Sequence, residues 1–341
     1  MSTSTAVADL RTVRRRRQVL VVTGMVLVVL VAGTGALLIG AAGLSPGQAI
    51  AGALGLGDKG DVFIVQKLRL PRIEAAVVVG AAFGLAGALF QSTLRNPLAS
   101  PDILGISSGA SLGAVIGLLA LGLSGVALSG LAFAGAGIIA LAIWLLAWRK
   151  GLHSIRFVLV GVGFAYLCSS LLAWAMARSQ EHEAAAVLTW TVGSVSDIRG
   201  EQLALVATGT LVLLAAVVVV SRLQGPLALG DDNARALGVH VDAARIGTLL
   251  LAVALVALAT SAAGPIAFVA LVAPAIARRL VNDGGAALAA STATGAALTL
   301  VADVVGQHAL LGVAAPVGIV TGLVGAPYLL WLLATTEKRS R

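Results

Sequence analysis

Charge is scarce in this sequence. Only 11% of its 341 residues are Asp, Glu, Lys or Arg, where a soluble domain carries about 25%. With 59% hydrophobic residues and a mean hydropathy of +1.01, the apolar runs are too long and too many for one water-soluble core. Cysteine is scarcer still. Cys168 stands alone in an apolar run, which excludes an intrachain disulfide and the usual cysteine metal motifs, and it reads as a small buried residue. The histidines, His153, His182, His240 and His308, are scattered singly and give no metal-ligand spacing. There is no GxxxxGK(S/T) phosphate loop, so ATP is not bound by that route, and no HExxH pair, GxSxG elbow or paired-carboxylate cluster. A resident cofactor, a metal centre and covalent catalysis all lack the residues they need.

What is present points to an all-α polytopic membrane protein. A helix needs roughly 20 apolar residues to cross the hydrocarbon core. Candidate spans lie near 19–42, 73–91, 105–122, 126–148, 155–177, 201–221, 243–262, 264–280, 286–304 and 316–334, about ten in all. The run 264–280 is short and interrupted by glycine and proline. The first run follows Arg14 to Arg17 as a signal peptide would, yet it is longer than an h-region and has no small-residue cleavage site; it reads as an anchor. The expected organisation is a basic segment at 1–18, one transmembrane domain at 19–334 and a tail at 335–341.

Lys and Arg near helix ends favour the cytoplasm. Arg11 and Arg14 to Arg17 at one terminus, and Lys338, Arg339 and Arg341 at the other, are therefore expected inside, and ten crossings put both ends there. The loops carrying Arg149, Lys150 and Arg156, and Arg278 and Arg279, fall inside too. The net charge of +8 follows from this topology rather than from nucleic-acid binding.

Polar interruptions mark the functional candidates. From Arg69 to Gly113 an arginine-flanked proline, a small-residue helix and a turn rich in Asn, Pro, Ser and Asp follow one another. In a bilayer such irregular backbone survives only against protein or along an aqueous path. Many of the 41 glycines lie inside apolar runs, as in Gly80 to Gly87, where they let helices pack closely. Between Ser221 and Arg245, Pro226 can open one short helix and Gly230 close it, after which Asp231 or Asp232 caps a second that Gly238 ends. Such a pair, exposing Asp231, Asp232 and Arg235 around Leu227, Leu229 and Leu237, is either a docking surface or a solvated loop. Intramembrane charge is thin: Glu74 suits a helix first turn, and Asp303 has no evident ionisable partner, which disfavours an ion-coupled carrier. Arg69 and Arg72 face the exterior by the ten-span count. They either dock an acidic partner or snorkel to headgroups.

The chain resembles the FecCD-type permeases, the membrane subunits of ABC importers for ferric siderophores, haem and cobalamin. The likeness rests on Arg69-Leu-Pro-Arg72, Gly80 to Gln91, Arg95-Asn-Pro-Leu98, Pro101 to Gly105, Ser108-Gly-Ala110, Leu227 to Gly230, Ala234 to Gly238, Gly264 to Val269, Ala302-Asp303 and Pro316 to Val320. Trp144 to Arg149, Gly230 to Asp232 and Phe268 to Pro274 are similar to the ferric-enterobactin branch. The resemblance implies a BtuC-like type II ABC importer fold and transport without enzymatic activity in this subunit. It also implies a second FecCD-type permease (a heterodimer or a homodimer), two ATPase subunits that bind the ATP, and an extracytoplasmic siderophore-binding protein.

By the same resemblance, Leu227, Leu229, Gly230, Asp231, Asp232, Arg235, Leu237 and Gly238 couple to the ATPase. Arg69 and Arg72 dock the binding protein, and Asn96, Pro97 and Leu98 help form the gate on the translocation path. Departures from the family pattern are Ala275 in place of His, Ala315 in place of Glu and Gln307 in place of Arg. The last removes a third docking charge. Haem and cobalamin stay open as alternative substrates, and a secondary transporter as an alternative class.

Overall fold

A computed structural model describes residues 3–39, 43–102, 104–148, 154–282, 285–308 and 314–337. Arg149, Lys150, His153, Lys338, Arg339 and Arg341 lie outside the described residues. Within them the chain is helical throughout, with no strand. In order the helices are α1 (Thr3–Leu38), α2 (Pro46–Ala53), α3 (Lys59–Phe63), a π turn (Ile64–Arg69), α4 (Leu70–Thr93), α5 (Ile106–Leu121), α6 (Gly125–Ala147), α7 (Ser154–Arg178), α8 (Glu181–Val192), α9 (Gly200–Ser221), α10 (Gln224–Ala228), α11 (Asp231–Ala236), α12 (Val241–Ala263), α13 (Val269–Val281), α14 (Leu288–Gln307) and α15 (Val317–Glu337).

Each expected span meets one helix: α1, α4, α5, α6, α7, α9, α12, α13, α14 and α15. Among the described residues, seven segments are long and apolar enough to cross a membrane, including the continuous rod Lys59–Thr93; α5 and the apolar part of α15 are shorter. The span expected over 264–280 is the largest departure. Gly264 at φ +70° ends α12 and Phe268 at φ +67° delays the next turn, so α13 keeps only 13 residues. The intervening backbone is packed against protein, as irregular segments in a membrane must be. Ser194 donates to the Ala263 carbonyl at 2.7 Å and Gly318 to that of Gly193 at 3.2 Å, which binds the ends of α8, α12 and α15 together.

Three short elements were not foreseen: α2, α3 and α8. The signal for α2 was in the sequence. Pro46 stands at its first position, and Ser45 and Gln48 form a reciprocal capping box.

The core is built around α4. Its apolar residues run all the way round, as expected of a helix without a solvent face, and it packs on α14, α12, α13 and α9. By contrast, α1, α6, α7 and α9 bury only a minor share of their residues and present apolar faces outward, consistent with lipid as their surroundings. The close contacts of α4 are glycine contacts. A methyl added at Gly80 would collide with the Gly295 carbonyl oxygen, one at Gly84 with that of Ser291, and one at Gly87 with that of Ala270. Gly80 and Gly84 face Ser291, Gly295 and Thr299 at four-residue spacing, a small-residue seam that brings two backbones together.

Gly295→Leu is therefore expected to destabilise the protein by about 1–3 kcal/mol through overpacking. Gly130→Leu, on α6 with nothing within 4 Å of its added carbon, should leave the melting temperature in detergent close to wild type. Equal effects would show that the seam is not close-packed.

Candidate functional site

Polar side chains gather at the two ends of α4. At its C-terminal end, Arg95 takes φ +49°, the left-handed position after a helix that glycine usually fills. The Asn96 amide donates to the Gln91 carbonyl at 3.2 Å, closing the turn. Asn96 Oδ1 then accepts from the Leu98 amide at 2.9 Å, so the Arg95 to Leu98 segment is a defined loop. A left-handed conformation costs a non-glycine residue roughly 1–2 kcal/mol, and the Arg95 guanidinium offsets it by donating to the Leu227 carbonyl at 2.9 Å and to Asp231 at 2.8 Å.

Asp231 is also held by Arg245, at 2.7 Å, from the first turns of α12. One carboxylate thus joins the loop after α4, the helix pair α10–α11 and α12. Beside it, buried Gln91 donates to the Leu271 carbonyl at 3.1 Å and accepts from Arg278, tying α4 to α13. A cleft of about 430 Å³ opens here, lined by Gln91, Arg95, Asn96, Pro97, Arg245 and Arg278 among others.

The helix pair differs in detail from the sequence expectation. Pro226 lies in the first turn of α10, as expected, but Gly230, at φ +100°, is itself the N-cap residue of α11, with no side-chain cap from Asp231 or Asp232. Gly238, at φ +80°, follows α11 as expected. Leu227 and Asp231 do not join the outer surface. Leu227 packs with Ala234, Val241 and Ala244 in a small core, and Asp231 turns to the two arginines. Leu229, Asp232, Arg235 and Leu237 are exposed, and Arg235 meets Asp232 at 3.2 Å.

The N-terminal end of α4 is reached through the π turn. Pro71 lacks an N–H and its ring would press on a carbonyl one turn back. The wider turn relieves this, with the Leu70 amide donating to the Val65 carbonyl. Arg72 then forms a forked pair with Asp303 on α14, Nε to Oδ2 at 2.9 Å and Nη2 to Oδ1 at 2.8 Å. Gln307 adds a 2.7 Å bond to the same carboxylate. The expectation that Asp303 lacks an ionisable partner is thus overturned: Arg72, distant in sequence, lies beside it. Arg69 donates to the Leu37 carbonyl. Arg69, Arg72, Arg199 and Gln307 line a second cavity of about 250 Å³.

Sequence reasoning had picked Arg69, Arg72 and the α10–α11 segment, but gave no role to Gln91, Arg95, Arg199, Arg245 or Arg278. Only long-range packing brings these five into the two clusters.

The FecCD transport family model matches residues 25–335. The chain belongs to the FecCD transport family. It is 35% identical over 309 residues to the ferric enterobactin transport system permease protein FepG of Escherichia coli (strain K12), covering 91% of this chain and 94% of FepG. The achromobactin transport system permease protein CbrC of Dickeya dadantii (strain 3937) is 38% identical, with 91% and 88% covered. The vitamin B12 import system permease protein BtuC of Salmonella arizonae is 34% identical, with 95% and 97% covered. Among solved structures, an inward-facing conformation of a metal-chelate type ABC transporter superposes with a TM-score of 0.81 at 26% identity, over 92% of this chain and 98% of that one. This FecCD chain is accordingly a multi-pass ABC importer permease, a transport subunit and not an enzyme, of a kind that works with ATPase and substrate-binding partners.

Asp303→Asn is expected to cost about 2–3 kcal/mol. That is less than the roughly 3–5 kcal/mol for a fully buried pair, because the Arg72 side chain stays 25% exposed while Asp303 is 2% exposed. The double change Arg72→Met with Asp303→Leu should recover much of the loss in thermal unfolding. A double variant as unstable as the sum of the single ones would show that the two residues are not coupled.

Proposed function

We propose that this chain is one of two permeases in an ATP-driven importer that carries ferric siderophore across the bacterial cytoplasmic membrane. The observation that carries the substrate is the kinship with FepG and CbrC, at 35% and 38% identity over nearly the whole chain. The partner permease is a FecCD-type paralogue or a second copy. Two separate ATPases bind the ATP, and an extracytoplasmic protein delivers the siderophore. Both termini and α10–α11 face the cytoplasm, which agrees with the basic residues Arg14 to Arg17 that open the chain.

In this reading Leu229, Leu237, Asp232 and Arg235 form the contact with the ATPase, two exposed leucines beside a charged pair. Asp231, on the inner side of the same helix, passes displacement on to Arg95 and thence to the gate loop Asn96, Pro97 and Leu98. Arg69 and Arg72 lie at the opposite mouth, where the binding protein docks. ATP-driven closure of the partners favours one arrangement of this unit over the other, and transport follows from that difference in binding. Vitamin B12 is the second substrate reading, supported by 34% identity to BtuC over almost the full chain.

Two measurements test this. Cells lacking the chain should lose uptake of radiolabelled ferric siderophore and regain it with wild type, while Arg235→Glu restores less than about a tenth. Undiminished uptake of catecholate and hydroxamate forms in a strain without a redundant importer, with loss of cobalamin uptake, would replace siderophore by vitamin B12. Separately, Asp231→Ala should keep the ATPases bound and hydrolysing while transport falls several-fold. Transport at the wild-type rate would remove Asp231 from the coupling route.

A further inference from the structure

A groove of about 440 Å³ lies between α6 and α12, and every residue lining it is apolar or glycine. Phe157 of α7, with Leu249 and Ala257, is buried and makes its floor, while Phe133, Leu141 and Leu250 are exposed along its rims. The lining runs from Phe133 to Trp144 on α6 and from Ile246 to Ala257 on α12. Each stretch is about 16 Å long at 1.5 Å per residue. That is close to the depth of one leaflet, half of a hydrocarbon core about 30 Å thick. Spread over this length, the volume gives a channel about 6 Å across, too narrow to seat a helix about 10–12 Å wide.

One end of the groove is suited to a lipid headgroup. It lies where α6 ends and where α7 and α12 begin, on the same side as α10–α11. Trp144 and Trp148 form a tilted pair there, ring centroids 5.7 Å apart, as tryptophan does at a membrane–water interface. Arg156, next to Phe157, is partly exposed and has no acid within ion-pairing distance among the described residues. Of the acids at this end, Asp231 is taken up by Arg95 and Arg245, and Asp242 is exposed and forms no ion pair with Arg156. The sequence joining α6 to α7 adds Arg149 and Lys150 and no acid. Unpaired basic residues at the cytoplasmic end of membrane helices attract anionic lipid.

We infer that this groove holds one acyl chain of an anionic phospholipid from the inner leaflet, with the phosphate at Arg156. The inference rests on the topology read above for its choice of leaflet and on nothing else in the importer reading. The site is separate from the docking, gate and coupling residues. It adjoins one of them: Ile246, which lines the groove, follows Arg245, so the lipid sits beside the turn of α12 that holds Asp231.

The test uses the assembled transporter, this chain with its partner permease and ATPases, and reads retained lipid by native mass spectrometry. The probes are dioleoyl phosphatidylglycerol and dioleoyl phosphatidylcholine, which share their chains and differ in net charge. Wild type should hold phosphatidylglycerol about fivefold more tightly, the effect of roughly one basic side chain near an anionic headgroup. Arg156→Gln should abolish that preference while the chain stays bound. Nothing lies within 4 Å of a carbon added at Gly137, so Gly137→Phe should fill the groove without disturbing the helices. It is expected to weaken retention of both lipids about tenfold at an unchanged melting temperature. Retention by Gly137→Phe within twofold of wild type would place the lipid elsewhere and overturn the inference. Crosslinking of Leu141→Cys to the partner permease would also overturn it, by showing that protein covers the groove. Equal retention of the two lipids by wild type, or an undiminished preference in Arg156→Gln, would sink the headgroup assignment. Lipid retention is read without substrate, so failure of the siderophore assignment leaves it standing. Labelling of Arg156→Cys by an impermeant thiol reagent outside intact cells would overturn the choice of leaflet and the topology together.

Discussion

Backbone-to-backbone contact along α4 is the constraint from which the remaining structure follows. In lipid there is little hydrophobic drive to press one helix against its neighbours, so close van der Waals packing has to hold the bundle together. Gly80 and Gly84 let α14 settle against α4, and Gly87 does the same for α13. A helix held this way on several sides moves as a rod. Arg72 and Gln91, 19 positions apart, are about 28 Å from one another along it at 1.5 Å per residue, and each is tied to a different neighbour, Asp303 on α14 and Arg278 on α13. The two polar clusters are thereby fixed with respect to each other by the same seam.

The clusters solve one electrostatic problem in two ways. At the α10–α11 end a partly exposed carboxylate, Asp231, is shared by two arginines from different segments, an arrangement that water can enter. At the other end a fully buried carboxylate, Asp303, is locked by a forked arginine and an amide. Burial makes breaking the second pair expensive and screening makes breaking the first inexpensive. A partly solvated joint and a buried one are thus built from the same two residue types.

Much of this was legible in the sequence. Long apolar runs gave the helices because a bilayer demands length and continuous apolar character, and both are properties of a single segment. Gly230 and Gly238 were legible as helix ends because left-handed backbone selects glycine. The partner of Asp303 was not legible, since Arg72 lies more than two hundred residues away and no local pattern announces it. Nor was the break before α13 fully visible. Gly264 signalled it, but Phe268, which takes a left-handed backbone with its side chain close against Gly325, carries no such signal. Arg199 escaped notice for a related reason: in sequence it is one more loop arginine, and only the fold sets it across a cavity from Arg69.

The π turn over Ile64–Arg69 holds one residue more than the same stretch of α-helix would. Removing a single residue there would return the rod to α register and swing everything upstream by about 100° about its axis, one step of a helix with 3.6 residues per turn. The α2 and α3 helices would then face a different neighbour, while Gly52 and Asp61, both upstream of the turn, would keep their mutual contact. In this segment the number of residues is more tightly bound than their identity: the chain can exchange Ile64 or Val65 for similar side chains, but it cannot lose a place in the count.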